Sequence, residues 1–479
     1  MNNSFKIDDI TCNDININQL YSLTNFTKCK IGGEYLYNSL KNPISNEKLL
    51  IKRDELCEEL ANDSELNENL DKALGKLGND EKLSVYSCIN RIEDISNKNI
   101  LPNIILSALL AIVFVLMLVC DSKVLLFTFF CLIPINMVYY FVCKGQIVQY
   151  ICVFKFIINL LKNAKYITAV QGKYSSEYTS RIKTTLKSFN KTRRFSFCLL
   201  AGKNATGSFI DLIFEYMRML FHIDIIKFYS MLKQLKQNKA GLISMLDDIG
   251  ELDMTSSIVK FRNSLPYYCK PEFTDKLSID ALEIYHPYLK NPINNSITTN
   301  KSILITGSNA TGKSTFIRTI GINAILAQSL YTCTSKKYIA PIFHIYSSMM
   351  ITDNLLKNES YFVAELKSVK RMTDLKTLDG YKLLLMDELL KGTNSNERLT
   401  ATRQILKYLT DKKTLCIVAT HDITLTDLLV GEYDNYYFNE KIKDDILTFD
   451  YKLKKGVCQT TNALKLLKSF DFPKEIWQE

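Results

Sequence analysis

Two runs of about twenty uncharged residues stand side by side near the middle of the chain, and they restrict its architecture more than any other feature. One spans Leu101 to Cys120 and the other Val124 to Cys143, with only Asp121-Ser122-Lys123 between them. At ~1.5 Å per residue, each run as a helix reaches across a ~30 Å hydrocarbon core. Both are apolar all round rather than along one stripe, which sets aside an ordinary surface helix. The plain alternative is a buried helical hairpin in a large soluble core, where two adjacent charge-free runs of this length are rare. A three-residue turn leaves both flanks on one side, and Lys98 and Lys144 on those flanks agree with the positive-inside bias. Pro134 is tolerated in a membrane helix. The expectation is a two-helix transmembrane hairpin over 101–144.

At 479 residues the chain exceeds what one compact core organises, so two or three domains are expected. A net charge of +10, from 60 Lys+Arg against 50 Asp+Glu, suits nucleic acid and an anionic membrane surface alike. The 13 cysteines form no C-x-x-C pair and no Cys/His cluster at zinc spacing, so they read as reduced thiols. Met1 to Asn25 is too polar for a secretory signal. After the hairpin, Gln146 to Leu161 is expected to continue as a helix. Lys162 to Arg194 is then strongly basic, with Arg181, Lys183, Lys187, Lys191, Arg193 and Arg194 densest and Glu177 the single acid. A solvated helix face, contact with anionic lipid and contact with a nucleic-acid backbone all remain open for it.

The chemistry lies further on. Ser302 to Thr306 (SILIT) reads as a short buried strand leading into Gly307-Ser308-Asn309-Ala310-Thr311-Gly312-Lys313-Ser314-Thr315, then a helical pattern to about Leu330. This is G-x-x-x-x-G-K-S in strand–loop–helix context, where backbone N–H groups and the helix N-terminus cradle phosphates. Residues 307–315 are therefore candidate ATP-binding residues, with Lys313 reaching the β- and γ-phosphates and Ser314 a ligand of Mg²⁺. Tyr381 to Glu388 (YKLLLMDE) is an apolar strand ending in two acids. Asp387 is the candidate second metal ligand, and Glu388 the candidate base that orients the attacking water. Alone, such a pair would read as a solvated helix start; after four apolar residues and a matching upstream loop it reads as catalytic. A third strand, Thr414 to Ala419, ends in Thr420-His421-Asp422. His421, which alone would pass for a structural histidine, is placed to sense the γ-phosphate. Strands interleaved with helices over 302–429 indicate a mainly parallel, helix-covered sheet.

These residues resemble the MutS family of DNA mismatch-repair proteins. ITGSNATGKSTFIRTIG resembles the family's P-loop, usually ITGPNMGGKST, with Asn309 at the nucleotide-contacting Asn. LLLMDELLKGTNS resembles its Walker B segment, so Gly392, Thr393 and Asn394 match the subunit-facing loop. Ala419-Thr420-His421 matches A-T-H, while Tyr285-His286-Pro287 and Asn294-Asn295 resemble R-H-P and P-N-D. Ser360 to Glu365 (SYFVAE) resembles the S-T-F-M-x-E signature loop, which implies that Ser360 reaches the ATP site of a partner subunit and that the chain dimerises. Phe449 to Leu467 looks like the family's closing strand and helix, Gly33 to Leu56 like the start of its helical core, and Asp247 to Phe273 like the helical stretch before the ATPase. Phe438-Asn439-Glu440 has the letters of the family's Phe-x-Glu mismatch reader but falls near a strand of the ATPase, so it is read as chance.

The resulting expectation is an α/β P-loop NTPase C-terminal domain (MutS-like, 273–479) plus a mainly α-helical N-terminal region. That region comprises a helical core or lever (1–100), the transmembrane hairpin (101–144) and a helical lever with the basic segment (145–272). Against the resemblance, the chain is expected to be a variant lacking the N-terminal mismatch-recognition domains, and the hairpin implies that it is anchored in the cell membrane with its ATPase domain cytoplasmic. It would act as a homodimer joined through the ATPase domain, with ATP and Mg²⁺ as cofactors and slow, switch-like hydrolysis. Two function classes stand: a DNA-binding ATPase related to mismatch repair, and a membrane-bound ATP switch acting on a protein or lipid partner.

Overall fold

The computed structural model describes residues 5–78, 84–96, 99–190, 209–308, 311–349, 361–375, 378–391, 394–443, 446–458 and 473. In chain order the helices are α1 (Asp9–Ile15), α2 (Ile17–Thr24), α3 (Lys30–Lys41), α4 (Glu47–Asn62), α5 (Ser64–Gly75), α6 (Val85–Asp94), α7 (Leu101–Val119), α8 (Lys123–Ile147), α9 (Ile151–Ile167), α10 (Ser175–Ser188), α11 (Phe209–Leu220), α12 (Ile223–Gln237) and α13 (Lys239–Ser264). Then follow β1 (Glu272–Phe273), β2 (Ile279–Ile284), β3 (Asn295–Thr299), β4 (Ser302–Thr306), α14 (Lys313–Leu330), β5 (Lys337–Ala340), β6 (Phe343–Ser348), α15 (Tyr361–Asp374), β7 (Tyr381–Asp387), α16 (Ser395–Leu409), β8 (Thr414–Thr420), α17 (Thr424–Leu428), β9 (Tyr433–Lys443) and β10 (Ile446–Lys455). The chain forms two compact units: Met1–Phe26, Leu36–Glu58 and Ser257–Glu479 in one, Thr27–Tyr35 and Glu59–Ser256 in the other.

The first unit is built on a six-stranded sheet in the order β10-β9-β4-β8-β7-β6. From β9 to β6 all neighbours are parallel, and β10 closes the edge antiparallel to β9. Parallel strands covered on both faces should be apolar throughout, and β4, β7 and β8 are buried almost end to end. Alternation along β7 divides its side chains. Leu384 and Met386 join Leu304, Cys416 and Val418 in a core completed by Val369 and Met372 of α15 and Leu406 of α16. Leu385 faces α14, where Gly321 has no room for a side chain: a Cβ there would lie 2.6 Å from a Leu385 methyl. A smaller sheet, β1-β5-β2-β3, lies in the same unit. The N-terminal helix α1 belongs to this unit as well. Asp14 accepts hydrogen bonds from the Ser347 hydroxyl at 2.6 Å and the Met349 N–H at 3.0 Å, so a buried carboxylate ties α1 to the end of β6.

The second unit is helical. Glu59 accepts from the N–H groups of Tyr174 (2.9 Å) and Ser175 (2.8 Å), a carboxylate at the positive N-terminal end of α10. Phe154 of α9 and Phe228 of α12 pack with ring centroids 4.3 Å apart. The two uncharged runs form antiparallel helices joined at Cys120 to Ser122, and α8 passes through Pro134 without ending. Both are long and apolar enough to cross a membrane. Large apolar side chains lie exposed along their whole length, among them Ile105, Ile112, Val115, Phe127, Phe130 and Phe141.

Three local expectations change. The helix expected to run from Gln146 to Leu161 is interrupted by a 3-10 turn at Val148–Tyr150. The helical stretch expected from Asp247 to Phe273 ends at Ser264, two residues before Pro266, whose ring cannot continue a helix. Arg181, counted in the densest part of the basic segment, is drawn inward. Its Nε lies 3.1 Å from both oxygens of buried Asp248, and it also pairs with Glu177. Lys191, Arg193 and Arg194 lie outside the described residues.

Candidate functional site

The strand tips β4, β7 and β8 meet at the C-terminal edge of the large sheet, where such sheets place ligand sites. Gly307 leaves β4 with φ 145°, and a Cβ there would lie 2.7 Å from the Phe438 carbonyl oxygen of β9. Only glycine lets the loop turn this close to the neighbouring strand. Gly312 caps α14, and Lys313 opens it. The Lys313 ammonium is buried and donates to the carbonyl oxygens of Gly307 and Ser308, each at 2.8 Å. Burial lowers its pKa, and the carboxylates of Glu388 and Asp387 oppose that shift.

Glu388 follows β7 with a left-handed φ of 55°, a conformation that costs a non-glycine residue of order 1 kcal/mol. Its N–H donates to the Ala419 carbonyl at 2.9 Å, which fastens the end of β7 to β8. Its carboxylate takes His421 Nε2 at 2.5 Å on one oxygen and Lys391 Nζ at 2.9 Å on the other. Hydrogen bonding from His421, then from Lys391, holds the Glu388 carboxyl down at about 2, against desolvation that pushes it up. The loop carrying Lys391 is itself held by buried Glu365, which accepts the Lys391 N–H at 3.0 Å. Beside His421, Asp422 receives both Nε (3.2 Å) and Nη2 (3.1 Å) of Arg398 from α16.

Next to the loop lies a cavity of about 480 Å³. Its apolar lining is Ile284, Leu289, Ile293, Phe316 and Phe438 with the rings of His286 and Tyr451; its polar lining is Lys313, Ser314, Thr315 and Glu388, together with Asn291, Asn295 and Thr319. Two β-irregularities shape it. An extra residue between Ala281 and Ile284 puts Glu283 at φ 50° just ahead of His286. A second irregularity between Phe449 and Leu453 holds Tyr451 at φ 50°, its ring 3.2 Å from where a Cβ of Gly312 would sit. Burial, aided by Arg318, lowers the His286 imidazole to about 4, so the ring is neutral at physiological pH.

The fold therefore brings together Gly307, Ser308, Thr311, Gly312, Lys313, Ser314, Thr315, Asp387, Glu388 and His421, all expected from sequence. Asn309, Ala310, Ser360, Gly392 and Thr393 lie outside the described residues. Two contributors carry no functional signal in the sequence, Tyr451 and Glu440, and Glu365, the acid of the SYFVAE segment, takes a role that the motif does not state, as the brace of the 391 loop. Glu440 enters the sequence reading only through the chance Phe-x-Glu match. It is buried on β9 and accepts a hydrogen bond from the Ser308 hydroxyl.

A glycine-rich turn between a buried strand and a helix, with a lysine at the helix start and paired acids at the tip of another strand of the same sheet, one strand removed, defines the phosphate-loop class of α/β folds. Comparison with known proteins narrows the class. Residues 303–479 match MutS domain V. The chain is 29% identical over 280 residues to human "MutS protein homolog 4", covering 55% of this chain and 29% of that protein. It is 28% identical over 279 residues to the "DNA mismatch repair protein MutS" of Leptospira interrogans, covering 55% and 32%. It is 26% identical over 265 residues to "DNA mismatch repair protein msh3" of Aspergillus fumigatus, covering 51% and 23%. The matched stretch is thus a third or less of each relative's length. Over this stretch the chain is similar to proteins of the MutS family.

Proposed function

We propose that this chain is a MutS-like ATPase anchored in a membrane by α7 and α8. The observation that carries the reading is the convergence of Lys313, Asp387, Glu388 and His421 around the loop at 307–315, beside a cavity with both apolar and polar lining. Gly307 lies tight against β9, and a loop of this motif turns its backbone N–H groups toward phosphates. Ser314 and Asp387 are hard oxygen donors, which fits Mg²⁺. Bound there, the ion would neutralise charge on the transferring phosphoryl group. Lys313, already buried and aimed into the loop, would exchange its two carbonyl partners for phosphate oxygens. The neutral His286 ring and the apolar lining suit a flat nucleobase, with Tyr451 closing one side.

Glu388 orients the attacking water, and with a carboxyl at about 2 it does so as a carboxylate. A group so acidic is a weak proton acceptor. Turnover therefore requires Lys391 or His421 to release it, which gives slow, gated hydrolysis. Ser360 and the segment 392–394 would complete the site across a homodimer. In a turnover assay Glu388→Gln should keep nucleotide binding and lose ~10²-fold or more in rate. An unchanged rate would remove Glu388 from the chemistry.

DNA binding is a second reading, favoured by the names of the relatives. Lys183 and Lys187 of α10 are candidates for duplex backbone contact. Filter binding should then weaken steeply with salt, and binding that is absent or insensitive to salt rejects this role. A membrane-bound switch that acts on a protein or lipid partner would survive that result.

A further inference from the structure

The helical unit exposes an apolar surface that the two-helix hairpin does not include. α11 packs against α8, and its last residue, Leu220, joins Leu110, Val113, Phe129, Leu132 and Ile133 in one cluster. Leu132 lies twelve residues before Lys144, so along a helix Leu220 sits ~18 Å from the charged base of the hairpin. The chain then works back toward that base. His222, fully buried and left-handed at φ 49°, lies between Asn103 Nδ2 at 3.3 Å and the Asn136 carbonyl at 3.1 Å. Asp224 accepts from the Tyr140 hydroxyl at 2.8 Å and lies 3.8 Å from Lys144. Residues 220–224 thus run beside the apolar length of α8, from about the half-depth of a ~30 Å hydrocarbon layer to its edge. α7 and α8 carry exposed apolar side chains along this length, and the helix leading into Leu220 exposes its own: Ile213 is 47% exposed, Tyr216 50% and Met217 45%.

We infer that Ile213–Ile223 is a third membrane-embedded element, half-inserted beside the hairpin from its charged base, with bilayer acyl chains covering Ile213, Tyr216 and Met217. This rests on the membrane reading of α7 and α8 given above. Two observations support it. The exposed residues belong to the helix that packs against α8 and ends in the apolar cluster of the hairpin. The charged groups of the segment and its histidine are also paired, as hydrocarbon surroundings require. Arg218 pairs with Glu215 at 3.2 Å, both His222 nitrogens have partners, and Asp224 is held by Tyr140 and Lys144. Among the described buried side-chain atoms of this cluster, Arg218 Nε and Asn136 Oδ1 are left without a partner.

The test uses the full chain in phosphatidylcholine vesicles whose acyl chains are brominated at mid-length. Trp477, the single tryptophan, is replaced by Phe. One reporter, Tyr216→Trp or Val115→Trp, is then introduced at a time. The expected result is a comparable loss of emission to brominated lipid for both reporters, with both shielded from aqueous iodide. Quenching of Val115→Trp with an unquenched, iodide-accessible Tyr216→Trp would overturn the inference and leave the hairpin standing. If neither reporter is quenched, the membrane reading falls and takes the inference with it.

Discussion

At the scale of single residues, Glu388 concentrates the chemistry of the site. It occupies a left-handed backbone position and keeps its charge through His421 and Lys391. Because its carboxyl is held at about 2, below an ordinary value near 4.5, the ionised form favours the folded protein. That contribution is fully present above pH 4.5 and is lost as pH falls toward 2. The stability difference between the wild-type protein and Glu388→Gln, followed by unfolding at successive pH values, should therefore narrow over that interval. A gap that stays constant would show that the charge is not held by the fold. Comparing Glu388→Gly with Glu388→Ala separates strain from chemistry: both lose the carboxylate and its turnover, but glycine is relaxed at this left-handed position and should leave the protein about 1 kcal/mol more stable than alanine does. Equal stability of the two variants would show that the backbone there is not strained. The residues of this centre were legible because strand–loop–helix and strand–acid patterns are local in sequence. Tyr451, Glu440 and the bracing role of Glu365 were not. Each acts through a bulge or a partner far along the chain, and no spacing rule connects 440 to 308 or 365 to 391.

Among the elements, β4, β7, β8 and α14 announced themselves, since a parallel sheet covered on both faces demands unbroken apolar runs. The hairpin was equally plain, from charge-free length alone. Less could be read where tertiary packing decides. The break between α8 and α9 at Val148–Tyr150 interrupts a run of unchanged apolar character. The end of α13 at Ser264 is explained by Pro266 but was masked by a family likeness extending to Phe273. The packing of α14 on β7 provides a sharp test. Gly321→Val inserts a branched side chain where a Cβ alone would already lie 2.6 Å from Leu385 and 3.0 Å from Ile15. It should cost ~1–3 kcal/mol or more, read as a lowered denaturation midpoint. Unchanged stability would mean that α14 and β7 are not so closely apposed.

For the whole molecule, the question is what a nucleotide cycle moves. One unit holds the phosphate-loop site and the other holds the apolar hairpin. Deletion of 101–143 should abolish flotation with liposomes while leaving nucleotide binding in place. Flotation that survives the deletion would reject α7 and α8 as the anchor. All of this presupposes that the loop at 307–315 holds a triphosphate, and equilibrium titration of purified protein with Mg-ATP tests that most directly. Saturable binding is expected, weakened about tenfold or more in Lys313→Ala, because the buried ammonium makes charge-assisted bonds that no other side chain at that position replaces. Equal affinity in both proteins, or no binding in either, would contradict it.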